Sequence, residues 1–413
     1  MDPIEKGNYN TDMVSPPSVP SVRKADPSRT GLGGRDFRLL MAATLGTFAN
    51  YAPMLSVVPL WASGGGAAHS GVGATTGVTM ATTVAVQLCM GWLLRRFTLR
   101  QIFMAGAVLL GLPTFGYALS SSLGWVLGVS AVRGLGFGMV AVAGSALVAD
   151  LVPPAQRGRA VGLYGIGVGV PQVLLLPLGV WCAEHVGYTP VFVVAGVLSV
   201  LAVPLVWLMS GQRADERESG APAATTPGQA PRLRPLATPW TLLITAACAL
   251  GGATSFLPLA LAEPAAAPAA LFTLTGATMV GRWLAGVRSD RAGTGSLLVA
   301  SVATCALGMG GFALAAETAT GTTVLAVAAG LVYGLGFGAL QNDTLVVMFR
   351  RAGPRGHGVA STAWNMAYDA GAGLGSLGVG VLAQASGMRG AFAASALLIA
   401  CVLPLAWRES RHP

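Results

Sequence analysis

Two hexapeptides 200 positions apart constrain this chain more than any other feature. Arg133-Gly134-Leu135-Gly136-Phe137-Gly138 and Tyr333-Gly334-Leu335-Gly336-Phe337-Gly338 share five of six residues. At the same offset Pro154 answers Pro354, Gly158 answers Gly358 and Ala160 answers Ala360. A chain of 413 residues with one copy in each half reads as a duplicated fold. Such a repeat fixes the architecture before any local reading does.

The sequence around the repeats is apolar for stretches of about 20 residues or more, each able to cross a ~30 Å hydrocarbon core as a helix. These stretches fall at 37–60, 71–94, 101–120, 123–148, 160–182 and 189–209, then at 239–262, 266–286, 296–316, 321–347, 359–384 and 388–407. Only 10% of the residues are charged, against about 25% in ordinary soluble domains. A soluble globular chain is thereby excluded. The expectation is an all-α membrane protein with twelve transmembrane helices in two pseudo-symmetric six-helix bundles, 37–209 and 237–407. A cytoplasmic linker at 210–236 would join them, with a disordered cytoplasmic tail at 1–36 and a short cytoplasmic tail at 408–413.

The net charge of +9 suggests nucleic acid until the positions are read. The arginines gather in alternate loops: Arg95, Arg96 and Arg100; Arg157 and Arg159; Arg213, Arg217, Arg232 and Arg234; Arg288 and Arg291; Arg350, Arg351 and Arg355. The opposite loops hold His69, Glu184, His185, Glu263, Glu317 and Arg389. That asymmetry is membrane topology, and it puts both termini in the cytoplasm. The abundance of alanine and glycine suits a high-GC bacterial genome, and so a bacterial cell membrane. Five cysteines stand apart in apolar runs and four histidines have no zinc-like spacing, so neither disulfide nor metal is expected. No catalytic triad, metalloprotease motif or phosphate-cradling loop appears, which argues against an enzyme and against a cofactor.

Gly286-Val287-Arg288-Ser289-Asp290-Arg291-Ala292-Gly293 follows the eighth apolar run. It resembles the cytoplasmic G-x-x-x-D-R-x-G loop of the major facilitator superfamily, whose plan is also six helices, a linker and six helices. The resemblance covers about 37–407. Arg133 and its glycines resemble the helix-4 arginine motif of proton-coupled members. In the first half the acidic loop position is taken by Arg95. Gly165 to Pro171 is similar to the exporters' helix-5 motif, with Val170 interrupting its Gly-Pro step. The resemblance implies alternating access, with helices 1, 4, 7 and 10 lining a central cavity.

Of 16 carboxylates only Asp343 and Asp369 fall inside the apolar runs. A charge at the depth of Asp369 costs ~2.5–3.5 kcal/mol on insertion scales, so it must face protein or water. Asp369 is therefore the first choice for proton coupling, with Asn365 one turn before it able to bond it or the substrate. Arg133 is the one deep charge of the first half and the second candidate in the coupling. Candidate cavity residues are Asn50, Tyr51, Gln87, Gln172, Phe256, Tyr333, Gln341, Asp343 and Asn365. Candidate cytoplasmic gating residues are Arg95, Asp150, Arg282, Gly286, Asp290, Arg291 and Arg350. Asp150 and Arg350 are repeat mates, so Arg95 with Asp150 and Asp290 with Arg350 would be matched pairs of reversed polarity. For nearly every cavity and gating residue the plainer alternative is packing or a solvated charge.

The expected function is proton-coupled export of a hydrophobic or amphipathic small molecule. Its partners would be protons, a small organic substrate and the bilayer, with no nucleic acid, and the chain would act as a monomer. The alternatives are a proton-driven importer or uniporter of a small polar solute, and a membrane sensor or scaffold that transports nothing.

Overall fold

The computed structural model describes residues 31–153, 156–209, 234–292, 296–316, 322–353 and 356–411. Most of the tail read over 1–36 and of the linker read over 210–236 thus lies outside the described residues. Those described are helical, with no strand among them. The first half holds α1 (Arg35–Gly64), α2 (His69–Arg96), α3 (Leu99–Gly116), α4 (Leu123–Leu151), α5 (Arg157–His185) and α6 (Tyr188–Trp207). The second holds α7 (Ala237–Ala260), α8 (Ala266–Ala292), α9 (Leu298–Ala315), α10 (Thr322–Ala352), α11 (His357–Cys401) and α12 (Leu403–Arg411).

Nine helical stretches of the described residues are long and apolar enough to cross a membrane. One of them, 358–411, holds two of the expected crossings. Gly387 divides it at φ 72°, ψ 172°, a left-handed conformation that a residue without Cβ adopts freely. Two helices join there without a loop. α1 and α8 are not among the nine, though they run for 30 and 27 residues. α1 is wrapped by α2, α4, α5, α6 and α7, so protein rather than lipid receives its polar residues. α8 carries Arg282, Arg288, Asp290 and Arg291 in its second half. Together these elements are compatible with twelve crossings.

Each half repeats one packing scheme. α2 lies on α4, α4 on α3, α3 on α6, and α5 and α6 on α1. Correspondingly α8 lies on α10, α10 on α9, α9 on α11 and α12, and α11 and α12 on α7. The hexapeptides explain the match. A Cβ at Gly134 or Gly138 would collide with α2 at Thr79 and Thr83, and one at Gly136 with α3 near Leu110. A Cβ at Gly334 or Gly338 would collide with α8 at Leu274 and Thr278, and one at Gly336 with α9 near Ser301 and Thr304. Glycines four apart let two backbones touch in lipid, where apolar burial gives helices no preference for each other.

The halves meet through α2 on α11, α5 on α8 and α1 on α7. One end of the molecule carries Arg95, Arg96, Arg157, Arg288, Arg350 and Arg408; the other carries Glu184, His185 and Glu263. Toward the arginine-poor end the contact is tight: added Cβ atoms at Gly73 and Gly380 would collide with the carbonyls of Ser376 and His69. Ser56 Oγ donates to the Thr254 carbonyl at 2.5 Å. Thr76 and Ser376 both bond the Ser255 hydroxyl, at 3.1 and 2.8 Å. Toward the arginine-rich end the same faces part. Added Cβ atoms at Gly91, Gly162, Gly165 and Gly358 would meet nothing within 4 Å.

Candidate functional site

Asp369 of α11 lies where the tight contact gives way to the open one. Gln87 of α2 donates from Nε2 to its Oδ2 at 2.7 Å, so the bond crosses from one half to the other. Both side chains are buried. The second polar atom of the amide, Gln87 Oε1, is buried without a partner. Asn365, expected beside Asp369, instead donates to the Ser361 carbonyl at 2.9 Å and is exposed.

Arg133 sits in the core of the first half at 3% exposure. Its Nη2 donates to Asn50 Oδ1 at 2.9 Å, its Nε to Thr114 Oγ1 at 3.0 Å and its Nη1 to the Tyr117 hydroxyl at 3.3 Å. Asn50 Nδ2 closes the ring by donating to Thr114 at 3.1 Å. The guanidinium also stands 5.4 Å from the Tyr117 ring centroid. Neutral oxygens from α1, α3 and the turn after α3 therefore hold this cation. No bond joins Arg133 to Asp369 among the described residues. Tyr51 lies within electrostatic reach of both, its ring stacked on Phe137 at 3.7 Å. Beneath Arg133 a cavity of about 10 Å³ is lined by Tyr51, Thr76 and Tyr117, room for about one water.

The other expected cavity residues separate. Tyr333 donates its hydroxyl to the Ala246 carbonyl at 2.6 Å and is fully buried in the second half. Phe256 is buried at the arginine-poor end, 6.5 Å from the His69 ring, as part of the tight contact. Asp343 accepts from the Leu297 amide at 3.1 Å, so its carboxylate caps the start of α9, where free N–H groups and the helix dipole favour an anion. Gln341 is buried beside it in sequence, and Gln172 is half-buried on α5. Tyr368 was not anticipated. Its ring stacks 6.0 Å from Trp364 and stands 6.1 Å from Phe337.

Of the expected gate, Arg95 is exposed at the end of α2, and no Arg95–Asp150 ion pair is present among the described residues. Asp150 and Arg350 end α4 and α10 as expected. The side chains of Asp290 and Arg291 lie outside the described residues. Gly286 comes 3.9 Å from Asn342 Oδ1, measured from an added Cβ. Arg282 lies within electrostatic reach of Tyr368. An ion pair at this end joins Arg351 and Glu409 at 2.5 Å; Arg351 also donates to the Pro235 carbonyl at 2.9 Å. It ties α10 to α12 and to the start of α7. Hydroxyls scattered through apolar runs, and an acid in the last turn of the chain, gave no spacing from which these partners could be read.

Two matched helical bundles with a polar seam between them define a multi-pass membrane transporter. The chain belongs to the major facilitator superfamily, whose family model matches residues 39–376. It is 29% identical over 124 residues to the MFS-type transporter ppzB of Metarhizium majus, covering 30% of this chain and 27% of that protein. It is 24% identical over 205 residues to the Multidrug export protein EmrB of Haemophilus influenzae, covering 48% of this chain and 38% of that protein. The chain thus spans about a quarter to two-fifths of the length of these curated relatives. Among solved structures, a POT family transporter in complex with a thioalcohol-conjugated peptide matches with a TM-score of 0.74 at 12% identity, covering 93% of this chain and 97% of that one. A bacterial homologue of the human lysosomal transporter Spinster, inward-facing and occupied, matches with a TM-score of 0.72 at 16% identity, covering 91% and 96%. These likenesses establish the fold.

Proposed function

We propose that this transporter exports an amphipathic small molecule in exchange for protons, by alternating access between its two halves. The observation that carries the reading is the Gln87–Asp369 bond across the seam. An ionised Asp369 only accepts, and Gln87 Nε2 supplies its donor. A protonated Asp369 gains an O–H, and Gln87 Oε1, buried and unpartnered, is the nearby acceptor once the amide turns. A proton therefore reverses the polarity of a contact joining the bundles, and the balance between their two orientations shifts with it. Arg133, locked among neutral oxygens, keeps a fixed positive charge in the core of the first half.

The gathering of arginines in the loops of one end supports a reading in which that end faces the cytoplasm of a bacterial cell, with both termini inside. In that orientation the open faces at Gly162, Gly165 and Gly358 look inward. Aromatic residues at the seam and the shortage of charged ones suit an amphipathic organic molecule. The name of the relative EmrB points the same way.

The test is transport into proteoliposomes under an imposed pH gradient. Asp369→Asn should abolish gradient-driven transport while keeping substrate binding. Gradient-driven transport at the wild-type rate in that variant would remove Asp369 as the proton carrier. Collapsing the gradient in cells should raise internal substrate, and a fall would assign import instead.

A further inference from the structure

We infer that Arg282 docks the anionic group of the carried molecule, so that the substrate class is an aromatic organic anion such as an aryl carboxylate. Its physiological meaning rests on the transport reading above; the site itself is argued from the repeat.

The glycine contacts fix how the halves correspond. Gly134 and Gly138 meet Thr79 and Thr83, whereas Gly334 and Gly338 meet Leu274 and Thr278. α2 therefore corresponds to α8 at an offset of 195. α5 corresponds to α11 at the offset of 200 that relates Gly158 to Gly358 and Ala160 to Ala360. Under these offsets Gln87 maps onto Arg282, and Asp369 onto Gly169. The packing keeps this register, since an added Cβ at Gly169 would lie 3.1 Å from Met279, and one at Gly276 would lie 3.9 Å from Val173.

The two crossings are thus counterparts in the repeat with different contents. On one side an amide meets a carboxylate and the contact is closed. On the other a guanidinium stands opposite a glycine, and no acid is supplied. Arg282 is exposed and makes no hydrogen bond or ion pair among the described residues. Gly165 and Gly162 lie one and two turns from Gly169 on the same face of α5, with open space before them. Arg282 falls between the side of α8 that meets α10, at Thr278 and Gly281, and the side that meets α5, at Met279. It therefore points into the gap between the halves. The aromatic residue within its electrostatic reach is Tyr368.

A cation left without a partner in a membrane protein is costly unless something completes it. The planar guanidinium offers paired donors that match a carboxylate. The half-buried Tyr368 ring, backed by the buried and nearly parallel Trp364 ring at 13°, gives a flat apolar body a surface to lie on. A phospholipid headgroup shares the anionic chemistry, and the experiment separates the two.

Full-length protein in phosphatidylcholine nanodiscs is dialysed against 2-naphthoate, 2-naphthylmethanol and 2-naphthylmethylammonium, with empty nanodiscs as blank. Naphthoate should bind about tenfold or more tighter than the alcohol. Arg282→Gln should erase that preference while keeping the alcohol's affinity and the wild-type Tm; Arg282→Lys should keep part of it; Arg408→Gln, at the chain's far end, should change nothing. No binding of any probe, equal binding of anion and alcohol, or a preference that survives Arg282→Gln would each overturn the inference. Loss of naphthoate binding in phosphatidylglycerol nanodiscs, at unchanged affinity for the alcohol, would assign the site to lipid and overturn it too. Proteoliposomes separate it from the transport reading. A pH gradient that moves none of the probes, although naphthoate binds at Arg282, leaves this site standing and counts against transport. A gradient that moves the alcohol or the amine but never naphthoate leaves transport standing and removes this substrate class.

Discussion

Positions 133 and 333 occupy the same place in the two hexapeptides, yet one is arginine and the other tyrosine. Arg133 gathers three neutral acceptors from α1, α3 and the following turn. Tyr333 makes one bond, to the Ala246 carbonyl of α7. The arginine-rich ends differ in the same way. In the second half α10, α12 and the start of α7 are tied by the Arg351–Glu409 ion pair. In the first half the contacts described at that end run to backbone carbonyls: the Gly31 amide bonds the Leu151 carbonyl at 3.1 Å, and the Arg100 side chain donates to the Val206 and Trp207 carbonyls at 3.0 and 2.9 Å. The duplication kept the backbone contacts and let the side-chain chemistry diverge. A fixed cation stands in the first half and a titratable acid in the second, with one bond between the halves reaching that acid.

The contacts that the halves share should fail equally. Gly134→Val and Gly334→Val each drive a side chain into a neighbouring backbone, an overpacking cost of about 3 kcal/mol or more. Both should lose the thermal transition of the purified protein, and a difference between them would break the equivalence. The contacts that diverged should fail unequally. Arg351→Ala leaves Glu409, 6% exposed, without its partner; the loss should be about 3 kcal/mol, against under about 1 kcal/mol for Arg100→Ala, read from Tm. Arg133→Leu should cost about 2 kcal/mol by stripping Asn50, Thr114 and Tyr117 of their donor, whereas Tyr333→Phe should cost about 0.6 kcal/mol.

The smallest effect lies in the α7–α8 loop. The Thr323 hydroxyl donates to Glu263, as does the Thr323 amide at 3.2 Å, and this holds the carboxyl below the ordinary glutamate range. A depressed folded-state value means that the contribution is present at neutral pH and is lost as pH falls through that value. The Tm difference between wild type and Glu263→Gln should therefore be small at pH 7 and vanish in acid. A difference that persisted in acid would give it another origin.

Most of the fold was legible because membrane spans announce themselves by length and charge, and the halves by the glycines their packing requires. The expected run at 388–407 is helical apart from a break at Val402, and its junction with the preceding helix is a single glycine, which no loop-like composition marks. Asp369 stood out as a carboxylate amid apolar residues, and the structure does bring it to Gln87. What composition could not convey was pairing. Asn365 sits one turn from Asp369 yet bonds its own helix. Asp343 looked like a cavity residue and caps α9. Arg95 and Asp150 match by sign alone, and sign does not say which side chains at one end of the bundle meet. Arg282 was read as part of a gate because it falls near the arginine-rich end. Only the register between α2 and α8, visible once Gly134 and Gly334 have neighbours, sets it opposite Gly169.

The central claim is that a proton on Asp369 decides how the two halves sit. Spin labels at Gly162 of α5 and Arg288 of α8, in protein whose native cysteines have been replaced, would report the separation of the arginine-rich ends by pulsed dipolar spectroscopy. The distance distribution should shift between open and closed populations as pH is changed in the wild type, and should be locked and insensitive to pH in Asp369→Asn. An Asp369→Asn protein whose distribution follows pH as the wild type does would contradict the account.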